Sequence, residues 1–361
     1  MKNLDKEFMK LAKRNKLKRR LITIGISILT TLVILSGLGI WRSSYLQEQN
    51  KKVSEMVNIY SEISAPNTVS TITGTSQGLL SGSYTLSSYK NLDGIPVPLG
   101  TRDINYGFSF SNKMWWLAVG NEDYVPGGTI ENISYREGQK RPQFYQISLA
   151  DAKIIGTKES FPQEIKKLEQ VSDYVSEVAI TFDKPYTYRE ILKMVPDNLL
   201  LNWLSLSRSV DATYYESYPI DIGISTTINT YSKDGIYYDD ENGSSVKLNQ
   251  REVLSLPGDA GSNGIVNDGM YSDFVAAVKR SIDYDANDET RIELSNGDDF
   301  YPYRDAVKQV KKYPKLDDAT FSGIILSGRN ENFKQLQNKS WIAASSIGAT
   351  TRYFSYLPTT K

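Results

Sequence analysis

Catalytic chemistry in proteins leans first on histidine and cysteine, and this 361-residue chain has neither. Ser-His-Asp and Cys-His nucleophilic sites are therefore ruled out, as is any zinc site built on imidazole or thiolate. Disulfides and cysteine-linked lipid anchors go with them. No glycine-rich phosphate loop of the GxxxxGK[ST] kind occurs. Ser-Lys hydrolysis and paired-carboxylate glycosidase chemistry stay open in principle, but neither has a local signature here. The acidic run DYDANDE, residues 283–289, spaces its oxygens like the opening of a calcium loop. Its sixth position is Asp288, where the sharp turn needs glycine, and its twelfth is Leu294, where a bidentate Glu belongs. A solvated acidic turn accounts for it. No metal and no cofactor is expected, and the chain reads as a non-enzyme.

The informative residues are arranged for lipid and for partners. Residues 21–41 (LITIGISILTTLVILSGLGIW) carry no charge. At about 1.5 Å per residue they are long enough to cross a hydrocarbon core of about 30 Å. Trp41 and Tyr45 stand where an interfacial aromatic belt belongs. Residues 1–20 hold nine Lys or Arg against Asp5 and Glu7. The positive-inside rule places this end in the cytoplasm, with Lys16, Lys18, Arg19 and Arg20 setting orientation and touching lipid. The rival is a cleaved signal peptide. Its apolar core would be about 7–15 residues followed by a small-x-small site, whereas here the small residues lie inside a longer run. Preceding the span, Leu4, Phe8, Leu11 and Ala12 form one apolar stripe if residues 3–14 are helical. Such a basic amphipathic helix lies on the bilayer or docks into a partner's groove. Leu4, Phe8 and Leu11 are the candidate contacts for a cytoplasmic partner.

The net charge of zero conceals an asymmetry. Residues 1–42 carry ten basic and two acidic side chains, which leaves 32 basic and 40 acidic beyond them. An acidic exterior argues against nucleic acid as its partner. The sequence divides into a basic tail (1–20), a transmembrane helix (21–41), a juxtamembrane helix with a β-rich part (42–160) and an α+β domain (161–361).

Within 42–160, Val53, Met56, Val57, Tyr60 and Ile63 recur at helical spacing, which predicts a helix over 46–64. Residues 66–100, rich in Ser, Thr and Gly, read as loop with short strands. Strands are predicted at 106–110, 114–119, 130–135 and 144–149, and an amphipathic helix at 161–171. In the last part, a strand over 177–182 leads to Thr187 and Glu190, a capping-box spacing that opens a helix stopped by Pro196. LLLNWLSL, 199–206, is apolar enough for a strand covered on both faces. The order strand, helix, strand returns at 321–327, 330–337 and 341–347. Two such units sharing a sheet imply a ferredoxin-like sandwich. Between them, helices are predicted at 271–284 and 303–312.

These blocks carry a resemblance. VAITFDKPYTYREILKMVPDNLLLNWLSL (178–206) looks like the first conserved block of the sigma factor regulator C-terminal domain of Gram-positive bacteria, and FSGIILSGRNENFKQLQNKSWIAASSIGA (321–349) resembles its closing block. The anchor, with SAPNTVS (64–70) and YKNLDGIPVP (89–98), is similar to the N-terminal part of the same proteins. The resemblance implies a membrane-bound anti-sigma factor that holds an extracytoplasmic-function sigma factor and releases it on envelope stress. It assigns no catalytic residue. Better-known members carry a longer cytoplasmic region than the roughly 20 residues that precede the span here. Either the tail contributes one helix to the grip, or a co-regulating membrane protein supplies it. The alternative class is an envelope binding or assembly module on a plain anchor, and a third, less favoured, is an envelope hydrolase.

Overall fold

The tail, the span and the juxtamembrane segment form one helix. In a computed structural model, which describes residues 2–108, 123–126, 132–145, 162–208, 220–226, 266–284, 290–293, 299–356 and 359, α1 runs unbroken from Lys2 to Ile63 over 62 residues. That is about 93 Å of helix at 1.5 Å per residue. No proline interrupts it before Pro66. Within the apolar stretch, the hydroxyls of Thr23, Thr30 and Thr31 donate to the carbonyls of Arg19, Ile26 and Ser27 at 2.8–3.0 Å. Three hydroxyls of the apolar segment are thereby satisfied within the helix.

After α1 the chain makes a three-stranded antiparallel meander, β1 (Thr68–Gln77), β2 (Ser81–Leu92) and β3 (Ile95–Gly107). The reading of 66–100 as loop with short strands is corrected here. Composition suggested loop, but period decided the structure. Gly82, Tyr84, Leu86, Ser88, Lys90 and Leu92 all point inward while their neighbours point out, and threonine suits a pleated, half-buried surface. Asp93 and Gly94, at φ of 52° and 90°, close the β2–β3 hairpin with the positive dihedrals that a two-residue turn requires.

A second small sheet comprises β4 (Asp123–Pro126), β5 (Asn132–Arg136) and β6 (Gln139–Lys140). The strand expected at 130–135 corresponds to β5. That at 106–110 overlaps the end of β3 at Tyr106 and Gly107, and its last two residues lie outside the described residues. Residues 114–119 and 146–149 lie outside the described residues, and Phe144 and Tyr145 belong to no strand.

The largest sheet is built from β7 (Tyr174–Thr187), β8 (Leu200–Leu206), β9 (Gly223–Ser225), β12 (Thr320–Arg329) and β13 (Ile342–Arg352), with α2 (Tyr188–Met194) between β7 and β8. Between β9 and β12 come α3 (Asp268–Ser281), the short pair β10 (Ile292–Glu293) and β11 (Asp299–Phe300), and α4 (Pro302–Lys312). The spatial order is β13-β7-β12-β8-β9, antiparallel throughout. Its four long strands stand in the order fourth, first, third, second, the arrangement that two strand-helix-strand units produce when they interlock in a ferredoxin-like sheet. The second crossover is a 3-10 helix, Asn330–Leu336, and the helix expected at 161–171 is another, Glu164–Gln170.

Local signals explain much of this. The Glu190 carboxylate accepts from both the Thr187 N–H and the Thr187 hydroxyl at 2.8 Å, which fixes the start of α2 and holds that carboxyl below its ordinary pKa. Every residue of β8 is buried. One core joins the buried face of α1 to the large sheet and to α3 and α4.

Candidate functional site

The tail residues singled out by sequence all lie on the first turns of α1. Phe8 and Leu11 are 70% and 59% exposed, and Lys16, Lys18, Arg19 and Arg20 are exposed as well. The side chain of Leu4 lies outside the described residues. Among the described residues no other segment covers Phe8 or Leu11, so the tail presents apolar and basic groups to its surroundings.

The apolar run that follows is likewise uncovered. α1 includes a stretch long and apolar enough to act as a single-pass membrane anchor, and none of that stretch is buried against the protein. Trp41 stacks on Tyr45 with ring centroids 5.8 Å apart, one turn along the helix.

Contact with the globular part begins immediately beyond. The Arg42 guanidinium donates through Nη2 to the Gly78 carbonyl at 2.6 Å and through Nε to that of Leu79, gripping the β1–β2 turn. From Leu46 onward the helix is embedded. Leu46, Val53, Met56, Val57, Ile59 and Ile63 are each no more than 6% exposed. They repeat at helical spacing and form one stripe against the core. Three polar ties flank it. Tyr284 donates to the Glu55 carboxylate, Arg280 lies 3.8 Å from Glu62, and the hydroxyls of Ser64 and Tyr303 are 3.0 Å apart. Burial, and then the Glu55 charge, push the Tyr284 phenol up to about 12.

A buried polar seam joins the meander to the large sheet. Lys90 Nζ of β2 meets Glu177 Oε1 of β7 at 2.7 Å, with side chains 7% and 0% exposed. Burial pushes the Glu177 carboxyl above its ordinary pKa, while the Lys90 ammonium pulls it down. Beside this pair, Ser327 Oγ accepts from the Asp93 N–H at 2.9 Å and donates to Asn202 Oδ1 at 2.7 Å. Asn202 in turn donates to the Asn91 carbonyl at 3.2 Å. Asn202 is free to do this because it is an extra residue in β8. Trp203 pairs with Ile325 and Leu201 with Leu326, so the bulge falls between them.

Next to the seam, a small cleft opens between the end of α1 and the meander, lined by Tyr60, Ser61, Ser88, Lys90, Arg102 and Lys140 among others. Lys140 is paired with Glu164. The exposed lining of the cleft is more apolar than polar.

Among the described residues no group of three or more acidic side chains is placed to hold a metal ion. The acidic run 283–289 is described only at Asp283 and Tyr284, and its remainder lies outside the described residues. Sequence reasoning missed the Arg42 clamp, the Lys90–Glu177 pair and the Asn202 bulge. The pair left one trace, since Lys90 occupies the inward parity of β2 with Tyr84, Leu86 and Leu92.

Two family models match the chain. The family described as "Sigma factor regulator C-terminal" matches residues 168–349, half of the chain, and "Sigma factor regulator N-terminal" matches residues 9–97. No curated protein and no solved structure matches. The seam lies where the two matched segments meet, with Lys90, Asn91 and Asp93 in one and Glu177, Asn202 and Ser327 in the other.

Proposed function

The chain belongs to the sigma factor regulator family, and from that premise we propose that it is a membrane-anchored anti-sigma-factor-like regulator whose globular part lies outside the cytoplasm and whose basic tail governs an extracytoplasmic-function sigma factor inside. The observation that carries this reading is α1. One helix holds the tail at one end and is built into the core of the globular part at the other. A rigid element common to two compartments converts a change in packing at one end into a shift or rotation at the other. A signal acts on it only by binding two states of the globular part unequally. The cleft beside Tyr60 and Ser61 is one place where such a ligand would touch both the helix and the seam.

On this reading Leu4, Phe8 and Leu11 meet the sigma factor or a co-regulating membrane protein, and Lys16, Lys18, Arg19 and Arg20 hold the tail on the cytoplasmic face. The test replaces all three apolar residues, Leu4→Ala, Phe8→Ala and Leu11→Ala, in the full chain. Removing three apolar contacts at about 1 kcal/mol each weakens the contact about 100-fold. Transcription from the cognate promoters should then rise at unchanged protein level. Unchanged transcription with normal membrane levels would refute the tail as the contact. Purification of the tagged full chain from membranes should bring down a sigma factor, directly or through a second membrane protein, and should lose it in the triple variant.

A further inference from the structure

The β1–β2 turn carries an exposed leucine beside the end of the uncharged run of α1. Arg42 is the first charge after the uncharged run 21–41. Its two hydrogen bonds to the Gly78 and Leu79 carbonyls hold the turn beside the point where α1 leaves the hydrocarbon. Leu46, sealed at 1% exposure, lies four residues further on, about 6 Å along the axis. The globular part therefore reaches down almost to the level of Trp41 and Tyr45, the aromatic pair suited to the interface.

Two large apolar side chains project there. Leu79 is 75% exposed and Phe108 is 65% exposed. They are neighbours by construction, since the Phe108 N–H donates to the Leu80 carbonyl at 2.8 Å. Gly107 makes that approach feasible. Its φ is +108°, and a Cβ there would stand 2.4 Å from the Leu80 oxygen. A single exposed leucine on a protein surface needs no explanation. A leucine and a phenylalanine held together at the end of a membrane-spanning helix, with a cation clamping them to it, form a wedge of the kind that inserts at the boundary between head groups and acyl chains.

We propose that the β1–β2 turn and Phe108 form a second membrane contact, with Leu79 and Phe108 seated in the leaflet on the side of the globular part. The occupant is the bilayer, because the wedge is continuous with the membrane span through Arg42. The contact makes two supports out of one. A lone helix lets the globular part tilt and spin about its stalk, whereas a seated turn fixes its height and rotation on the surface. The inference does not depend on which partner the tail binds.

Because the chain has no cysteine, single labelling sites can be introduced one at a time. Full-length Leu79→Cys and Phe108→Cys, each carrying an environment-sensitive fluorophore, would be placed in lipid nanodiscs with and without nitroxide-bearing phospholipid. Pro98→Cys, exposed on β3 nine residues before Gly107 and about 30 Å up the strand, is the control. The labels at 79 and 108 should lose at least half their emission to the lipid-borne quencher, and the label at 98 should lose little. Equal quenching at all three positions would overturn the proposal. So would labels at 79 and 108 that are shielded from a water-soluble quencher yet untouched by the lipid-borne one, since that pattern means a second copy of this chain or another protein covers the wedge.

Discussion

The two halves of α1 share one backbone geometry and have opposite surroundings. Between Phe8 and Trp41 every large apolar side chain singled out on the helix is at least 54% exposed, whereas Leu46, Val53, Met56, Val57, Ile59 and Ile63 are no more than 6% exposed. The difference is written in the pattern. The first half is a basic amphipathic stretch followed by a run that is apolar all round, which suits lipid. The second half concentrates its apolar residues on one stripe and leaves Glu48, Lys51 and Lys52 outside, where Lys52 and Glu48 pair at 2.6 Å. A helix of this length owes nothing to its own core in the first half and is inseparable from the core in the second.

Substitutions matched across the two halves should therefore differ sharply. Ile63→Ala opens a cavity among fully buried neighbours and should cost about 2–5 kcal/mol, lowering the unfolding transition of the globular part. Val33→Ala in the exposed half should leave that unfolding transition where it was. Calorimetry of both variants in the same detergent checks the pair, and equal transitions would break the comparison.

The seam ranks next. Glu177→Leu strands the Lys90 ammonium in a dry environment and should cost about 3–5 kcal/mol, while adding Lys90→Met should recover most of the loss. Chemical denaturation of the single and double variants measures both. Failure of the second substitution to rescue would mean the pair does more than neutralise itself.

Alkali probes the packing around the embedded half, along with Tyr84 and Tyr186, whose phenols burial also pushes up to about 12. Tyr271 and Tyr284, one on α3 and one tied to Glu55 of α1, have phenols pushed up to about 12 by burial from an ordinary 10. Between those values the unfolded chain has already given up protons that the folded chain keeps. Stability is thus intact below pH 10 and declines as pH rises toward 12. Tyr284→Phe should flatten part of that decline, followed by tyrosinate absorbance alongside circular dichroism. The smallest effect belongs to the boundary itself. Arg42→Ala removes two hydrogen bonds at an exposed site and should cost about 1 kcal/mol or less, seen as faster amide exchange in residues 78–81 with the core unchanged.

What could be read from sequence followed the range of the interactions involved. Residues 21–41 and the stripe through Ile63 were legible because charge and period are local. So were β8, with no polar residue except Asn202 and Ser205 to expose, and the Thr187–Glu190 cap. The interlocked order of β7, β8, β12 and β13 followed from two strand-helix-strand patterns. The meander was hidden because serine, threonine and glycine resemble loop by composition, although their alternation marks strand. The Lys90–Glu177 pair spans 87 positions and the Asp93–Ser327 contact spans 234, so no window could bring either into view. The Asn202 bulge depends on its partner strand and has no signature of its own. Of the candidate contacts, Phe8 and Leu11 are exposed on α1.

The claim on which the rest depends is that one unbroken helix joins the tail to the core. Lys10→Cys and Gln47→Cys, both exposed on α1, would carry spin labels on either side of the membrane span in the full-length chain, reconstituted in nanodiscs. A straight helix of 37 residues between them predicts a narrow distance distribution near about 56 Å. A broad distribution, or one centred well short of that value, would show that the helix breaks between tail and core and would contradict the account.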